Sequence, residues 1–290
     1  MIGIFDSGYG GLTILQQIRS VLPEYDYLYL GDNARAPYGT RSFDCIYRYT
    51  LEAVQFLLAH HCTLIILACN TASAKALRTI QQHDLPVINS KLQAEDTDHL
   101  PATGASRKVN VLGVIRPTVE AVSSVTKTGH VGVLATPATV SSESYVLELN
   151  KIADQLTVVQ QPCPMWVPLI ESGEHTDEGA DYFVDKYLRE ILAKDPLIDT
   201  LVLGCTHYPL LLPKIEKWLK THSPKPVAAL PQGKLVAYSL ADYLRRHPEY
   251  ERQLTREGSC RYLTTDDADK FNQAAALFLG TPIHSEHVSF

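Results

Sequence analysis

The chain is expected to fold as α/β, with two related α/β domains, mainly parallel sheets, and a site in the cleft between them. Three observations predict this. Short β-rich runs alternate with longer amphipathic stretches through the 290 residues, as when parallel strands are joined through helices. The segment IGIFDSGYGGLTIL (2–15) is echoed by VGVLATPATVSSESY (131–145), each a β run, a tight turn of small polar residues and then a helix. Each is followed at a similar distance by an apolar run that ends in a cysteine, LIILACNTASA (64–74) and TLVLGCTHYPLL (200–211).

Taken in order, the expected strands are IGIF (2–5), YDYLYLG (25–31), LIILA (64–68), PVIN (86–89), VNVLGVI (109–115), HVGVLA (130–135), QLTVVQQ (155–161) and TLVLG (200–204). Between and after them the spacing predicts helices over 12–21, 41–60, 72–82, 117–127, 141–152, 177–193, 209–220, 234–246 and 267–279. Thr40 and Ser42 suit the start of the second, Ser141 and Ser142 that of the fifth, and Pro209 the first turn after the second cysteine. Residues 89–108, NSKLQAEDTDHLPATGASRK, are polar and aperiodic and read as an inserted surface loop. The first domain is therefore expected over 1–110 plus 230–290, carrying Cys69, and the second over 111–229, carrying Cys205.

Bulk properties narrow the function. A chain of this length buries roughly 75% of its unfolded surface and needs no disulfides. Its 26 basic and 32 acidic residues are spread without long runs, which argues against a nucleic-acid groove or a polybasic membrane patch. The partner is expected to be a small molecule. The start MIGIFDSGYGG lacks the pattern of a signal peptide and no apolar run approaches a membrane span, so a cytoplasmic location is expected. Six irregularly spaced cysteines contain no C-x-x-C, and the paired spacings of a structural zinc site are missing; no metal is expected.

The cysteine settings carry the chemistry. In each, a strand end delivers a thiol next to small hydrogen-bonding residues, Asn70 and Thr71 in one and Thr206 and His207 in the other. Two such thiols facing one carbon would supply an acid/base group on each side, as inversion of a C–H stereocentre requires. A two-thiol racemase or epimerase is the first reading. Glycines 8, 10 and 11 raise a nucleotide loop as competitor, but Thr13 stands where a dinucleotide fingerprint wants glycine and no Gly-Lys-Ser/Thr follows. The turn instead presents Asp6 and Ser7 at a strand's carboxyl end, where open α/β sheets bind ligands. A free thiol near pKa ~8.5 is mostly protonated at neutral pH, and a following helix N-terminus would lower it. Asp6 and His207 are the candidates to move the proton. The plainer readings are Asp6 as a helix cap, His207 as a turn residue before Pro209, and the cysteines as small buried side chains.

Together with GDNARAPYG (31–39), GVIRPTVEA (113–121), GVLATPATV (132–140) and CPMWVPLIESG (163–173), these motifs closely resemble the bacterial glutamate racemases of the aspartate/glutamate racemase superfamily. The resemblance runs in order from residue 2 to about 215, and ACNT with GCTH in one chain is its most specific part. It implies a cofactor-independent enzyme that interconverts L- and D-glutamate and supplies D-glutamate for peptidoglycan. Carried over by position, it makes Cys69 the base for D-glutamate and Cys205 the base for L-glutamate, with Asp6 assisting the first and His207 the second. Asp6, Ser7, Tyr38, Gly39, Asn70, Thr71, Thr206 and His207 match substrate-contacting positions, and Thr136, Thr139 and Glu171 match positions lining the same pocket. A homodimer is expected. The chain departs from the family in the 89–108 insertion, in Leu230-Pro231-Gln232-Gly233 where an Asp-Ser/Pro-Gly-like turn is common, and in a longer C-terminal region. No long extension precedes the first strand, so activation by a cell-wall precursor is not expected. The competing functions are a racemase of another acidic amino acid, aspartate foremost, and a non-catalytic amino-acid-binding regulator.

Overall fold

A computed structural model describes residues 1–98, 108–153 and 155–290, with only the backbone for 95–98. Its strands are β1 (Ile2–Asp6), β2 (Tyr27–Gly31), β3 (Leu64–Leu67), β4 (Asn110–Gly113), β5 (His130–Ala135), β6 (Thr157–Pro162), β7 (Thr200–Gly204), β8 (Ala228–Leu230), β9 (Cys260–Thr264) and β10 (Ser285–His287). They form a six-stranded sheet in the order β10-β9-β2-β1-β3-β4 and a four-stranded sheet in the order β6-β5-β7-β8. Every pairing is parallel. The α/β class and the paired parallel sheets expected from the alternation are what the chain forms.

The helices are α1 (Gly11–Val21), α2 (Phe43–Ala59), α3 (Asn70–Lys75), α4 (Leu77–Thr79), α5 (Leu85–Asp98), α6 (Ile115–Val125), α7 (Pro137–Ser141), α8 (Ser144–Ile152), α9 (Trp166–Glu171), α10 (Glu178–Lys194), α11 (Leu212–His222), α12 (Gly233–Arg246), α13 (Pro248–Glu251) and α14 (Ala268–Leu279). Local chemistry sets several ends. The Ser42 hydroxyl accepts from Cys45 N at the start of α2, and Asp267 accepts from Lys270 N at the start of α14. Gly280, at φ 70°, closes α14 in the left-handed conformation that a side chain disfavours.

Alternation along the central strands divides the core. Ile2, Ile4, Leu64 and Ile66 face a cluster that reaches Leu203, Leu211 and Val236, so one apolar core joins the two sheets. Phe5, Ile65 and Leu67 face the opposite cluster with Val54 and Leu57. Strands covered on both faces read as continuous apolar runs, which is why β1, β3 and β7 were legible.

The structure corrects the sequence reading at residues 86–98. PVIN is not a strand, and 89–98 of the expected loop are helical within α5. Leu85, Ile88 and Leu92 pack on the second cluster at helical spacing while Val87 is exposed, so one stripe, not an alternating face, is buried. Residues 99–107 of that loop lie outside the described residues. The expected helix over 141–152 begins only at Ser144, as α8, after Glu143 takes φ 53°, and the separate short helix α7 precedes it. Three short strands, β8 to β10, were not expected; β9 starts on Cys260 and Arg261, which hide its alternation. No helix among the described residues is long and apolar enough to cross a membrane.

Candidate active site

The site gathers at the carboxyl ends of β1, β3, β5 and β7, the end where open parallel sheets hold ligands. β1 runs out at Asp6 and Ser7, and β3 at Ala68 and Cys69. Cys69 is buried and caps α3, its sulfur accepting from Ala72 N at 3.4 Å, with the Ser7 hydroxyl 3.3 Å away on its other side. Asp6 is buried, and one carboxylate oxygen accepts from Gly8 N at 3.0 Å while Oδ1 has no partner among the described residues.

The electrostatics of this flank oppose the sequence expectation that a helix start would lower the thiol pKa. Burial, then the charge of Asp6, push the Cys69 thiol up to about 12, and the hydrogen bonds from Ser7 and Ala72 only partly offset them. Burial likewise raises the Asp6 carboxyl, against the pull of His207 and the N–H groups of Gly11 and Gly8. The charge of Cys205 adds a smaller upward push at Cys69, so the two thiols lie within electrostatic reach of each other.

The second flank is built differently. Past β7, Cys205 Sγ lies 3.8 Å from His207 Nδ1, and His207 Nε2 lies 2.9 Å from Glu171 Oε1 at the end of α9. The ring is also held edge-on by Phe278 of α14, centroids 5.4 Å apart. Only Cys69 caps a helix; after Cys205 the chain makes a turn and a 3₁₀ segment, Tyr208–Leu211, before α11. Burial alone would lower the His207 pKa, but its hydrogen bonds to Cys205 and Glu171, with their charges, raise it to about 10.

A pH dependence follows from that shift. In the unfolded chain the ring titrates near ~6.5. Below that pH both states hold the proton and the pairing contributes fully to stability; the contribution shrinks as pH rises and is lost as pH passes through about 10. The melting-temperature gap between the unmodified chain and His207→Asn should therefore narrow across that window. A gap constant over the whole range would contradict the assignment.

Small residues let the two flanks approach. A Cβ on Gly10 would stand 2.3 Å from His207 Nδ1, and one on Gly11 would stand 2.6 Å from Asp6 Cβ. Thr13 Oγ1 spans the gap, donating to Thr206 O at 2.8 Å. Of the glycines that suggested a nucleotide loop, Gly10 is thus where the start of α1 meets the turn after β7, and Gly11 is where α1 meets Asp6 and Ala68. Thr71, Thr136 and Thr139 form a hydroxyl cluster, with Oγ1 atoms 3.1 Å (71–136), 3.4 Å (71–139) and 3.0 Å (136–139) apart. Gly39 lies against Thr136, where an added Cβ would be 3.3 Å from that residue's Cβ.

Tyr38 shares a buried cluster with Cys69, but its hydroxyl is engaged elsewhere. It is buried between Phe5 and Tyr49, and its hydroxyl donates to Asp32. Asn70, by contrast, was named, but its partners were not: its amide meets Gln232 and Tyr145. Sequence reasoning also missed Thr13 and Phe278. Among the described residues no group of three or more His, Cys, Asp or Glu side chains could hold a metal ion.

Comparisons with known proteins agree with one another. The family model described as Asp/Glu/Hydantoin racemase matches residues 12–230. A glutamate racemase of Persephonella marina is 38% identical over 98% of this chain and 95% of its own length. Among solved structures, the glutamate racemase isoform RacE1 of Bacillus anthracis superposes with a TM-score of 0.83 at 30% identity, covering 100% of this chain and 97% of that one. The glutamate racemase of Francisella tularensis, solved in complex with D-glutamate, gives a TM-score of 0.79 at 33% identity, covering 99% and 97%.

Proposed function

This chain belongs to the Asp/Glu/hydantoin racemase family, and on that premise we propose that it interconverts L- and D-glutamate without a cofactor, one thiol working on each face of Cα. It is an amino-acid racemase. One observation carries the mechanistic part: two buried thiols at the carboxyl ends of β3 and β7, each with its own proton partner, Ser7 and Asp6 for Cys69 and His207 for Cys205.

In the L-to-D direction, Cys205 takes the α proton of L-glutamate with His207 beside it, and Cys69 gives its proton to the opposite face of the resulting carbanion. The reverse direction exchanges the roles. The raised Cys69 pKa supports this starting state, since a thiol pushed up to about 12 is protonated at neutral pH. The unpartnered Asp6 Oδ1 supports a contact to the substrate ammonium. The hydroxyls of Thr71, Thr136 and Thr139 and the Asn70 amide supply dipoles for the carboxylates, and donors at the α-carboxylate stabilise charge developing in the transition state. The physiological role in this proposal is supply of D-glutamate for peptidoglycan in the cytoplasm, by a homodimer made of domains at 1–110 plus 230–290 and 111–229.

Isotope exchange tests it. Each glutamate enantiomer is incubated in D2O and deuterium at Cα is followed in substrate and product. Two separate bases put solvent deuterium into the product from the first turnover while unreacted substrate stays protiated. Equal early labelling of substrate and product would indicate one base serving both faces, and no exchange from either enantiomer would remove the glutamate assignment.

A further inference from the structure

We propose that Gln232 is a positioning residue for racemisation, acting by fixing which way the Asn70 amide faces; this rests on the reading above, in which Asn70 meets the substrate. Gln232 is buried at the start of α12, in the turn Leu230-Pro231-Gln232-Gly233. Its Oε1 accepts from Asn70 Nδ2 at 2.5 Å, and its Nε2 donates to Tyr145 Oη at 2.8 Å. The Tyr145 hydroxyl donates in turn to Asn70 Oδ1 at 2.8 Å, which closes a ring of three hydrogen bonds.

The ring could run in either sense, and its surroundings choose one. Gln232 Nε2 also lies 3.3 Å from Val114 O and 2.8 Å from Thr118 Oγ1. A backbone carbonyl only accepts, and the Thr118 hydroxyl spends its proton on that same carbonyl at 2.9 Å, so both groups demand a donor. The Gln232 amide must therefore turn its NH2 toward them and its oxygen toward Asn70. Asn70 must answer with Nδ2, and its Oδ1 must face Tyr145. Burial raises the Tyr145 pKa further, which keeps the phenol a donor. One N–H and one oxygen lone pair of Asn70 remain, each on a fixed side, beside Cys69.

Without Gln232 nothing in the ring selects between the two amide orientations, and a buried, partly satisfied network is where such freedom costs most. Gln232→Met keeps the length and removes both polar atoms. It should lower kcat/KM for glutamate about tenfold in the unmodified chain and less than about twofold in an Asn70→Ala background, because the group it orients is then gone. Tyr145→Phe, a smaller change, should follow the same pattern.

A merely structural role gives a different result: each substitution would then cost the same factor in both backgrounds. That outcome, or full activity of Gln232→Met with Asn70 intact, overturns the proposal. Melting temperatures of all variants are measured alongside, and if Gln232→Met is unfolded at the assay temperature the Tyr145→Phe cycle decides alone. Failure here is separable from failure of the glutamate assignment, since the latter leaves the unmodified chain without racemase activity.

Discussion

Cys205→Ser and Cys69→Ser should each lower kcat/KM for both glutamate enantiomers by about a thousandfold or more, the upper part of the range for loss of a positioned acid/base group. The substitution changes one atom and keeps a hydrogen-bonding group at the same place. What it removes is acidity: a hydroxyl gives up its proton far less readily than a thiol, so the face it serves has neither base nor acid. At Cys69 the fold should survive well, because serine is a preferred helix cap and can accept from Ala72 N as the sulfur does. Loss of activity with an unchanged melting temperature is thus readable as chemistry. Polarimetry or circular dichroism from each pure enantiomer measures it, and turnover at the unmodified level in either variant would remove the two-thiol mechanism.

Gly10→Ala should cost about a hundredfold in kcat/KM, the scale on which a shift of about 1 Å in a catalytic group is felt. The backbone raises no objection, since Gly10 has φ −58° and ψ −35°, open to any residue. The obstacle is contact: the new methyl would lie 2.3 Å from His207 Nδ1 and 2.4 Å from Thr206 Oγ1. His207 has little room to yield, with Glu171 on Nε2 and Phe278 against its ring. The imidazole must then leave Cys205, or α1 must lift from the turn. Gly179→Ala is the control, because a Cβ there meets nothing within 4 Å, and its activity should be unchanged. Equal activity in the two variants would mean that the Gly10 contact relaxes without moving the ring.

What the sequence disclosed depended on how local each signal was. Strands β1, β3, β5 and β7 announced themselves as apolar runs, and Asp6, Cys69 and Cys205 followed from being the first polar or reactive residues beyond them. The helix over 85–98 did not, because Val87 and Ile88 side by side look like a strand until the packing shows that Ile88 leans on the core while Val87 is exposed. The pKa of Cys69 was misjudged for a related reason: a helix start is visible in sequence, whereas complete burial beside Asp6 is not. Gln232, Tyr145 and Phe278 reach the site from distant parts of the chain, with no spacing to tie them to Cys69 or His207. Gln232 stood out in sequence only as a departure from the family's turn.

The two flanks are chemically unlike, a hydroxyl and carboxylate around Cys69 and an imidazole–carboxylate pair around Cys205, yet substrate and product are mirror images of equal free energy in water. Detailed balance therefore requires kcat/KM to be the same from either enantiomer, however lopsided the protein. The asymmetry can surface only in how each direction divides that common ratio between kcat and KM. A change confined to the His207 side must depress the ratio equally both ways, while the separate constants for L- and D-glutamate move apart.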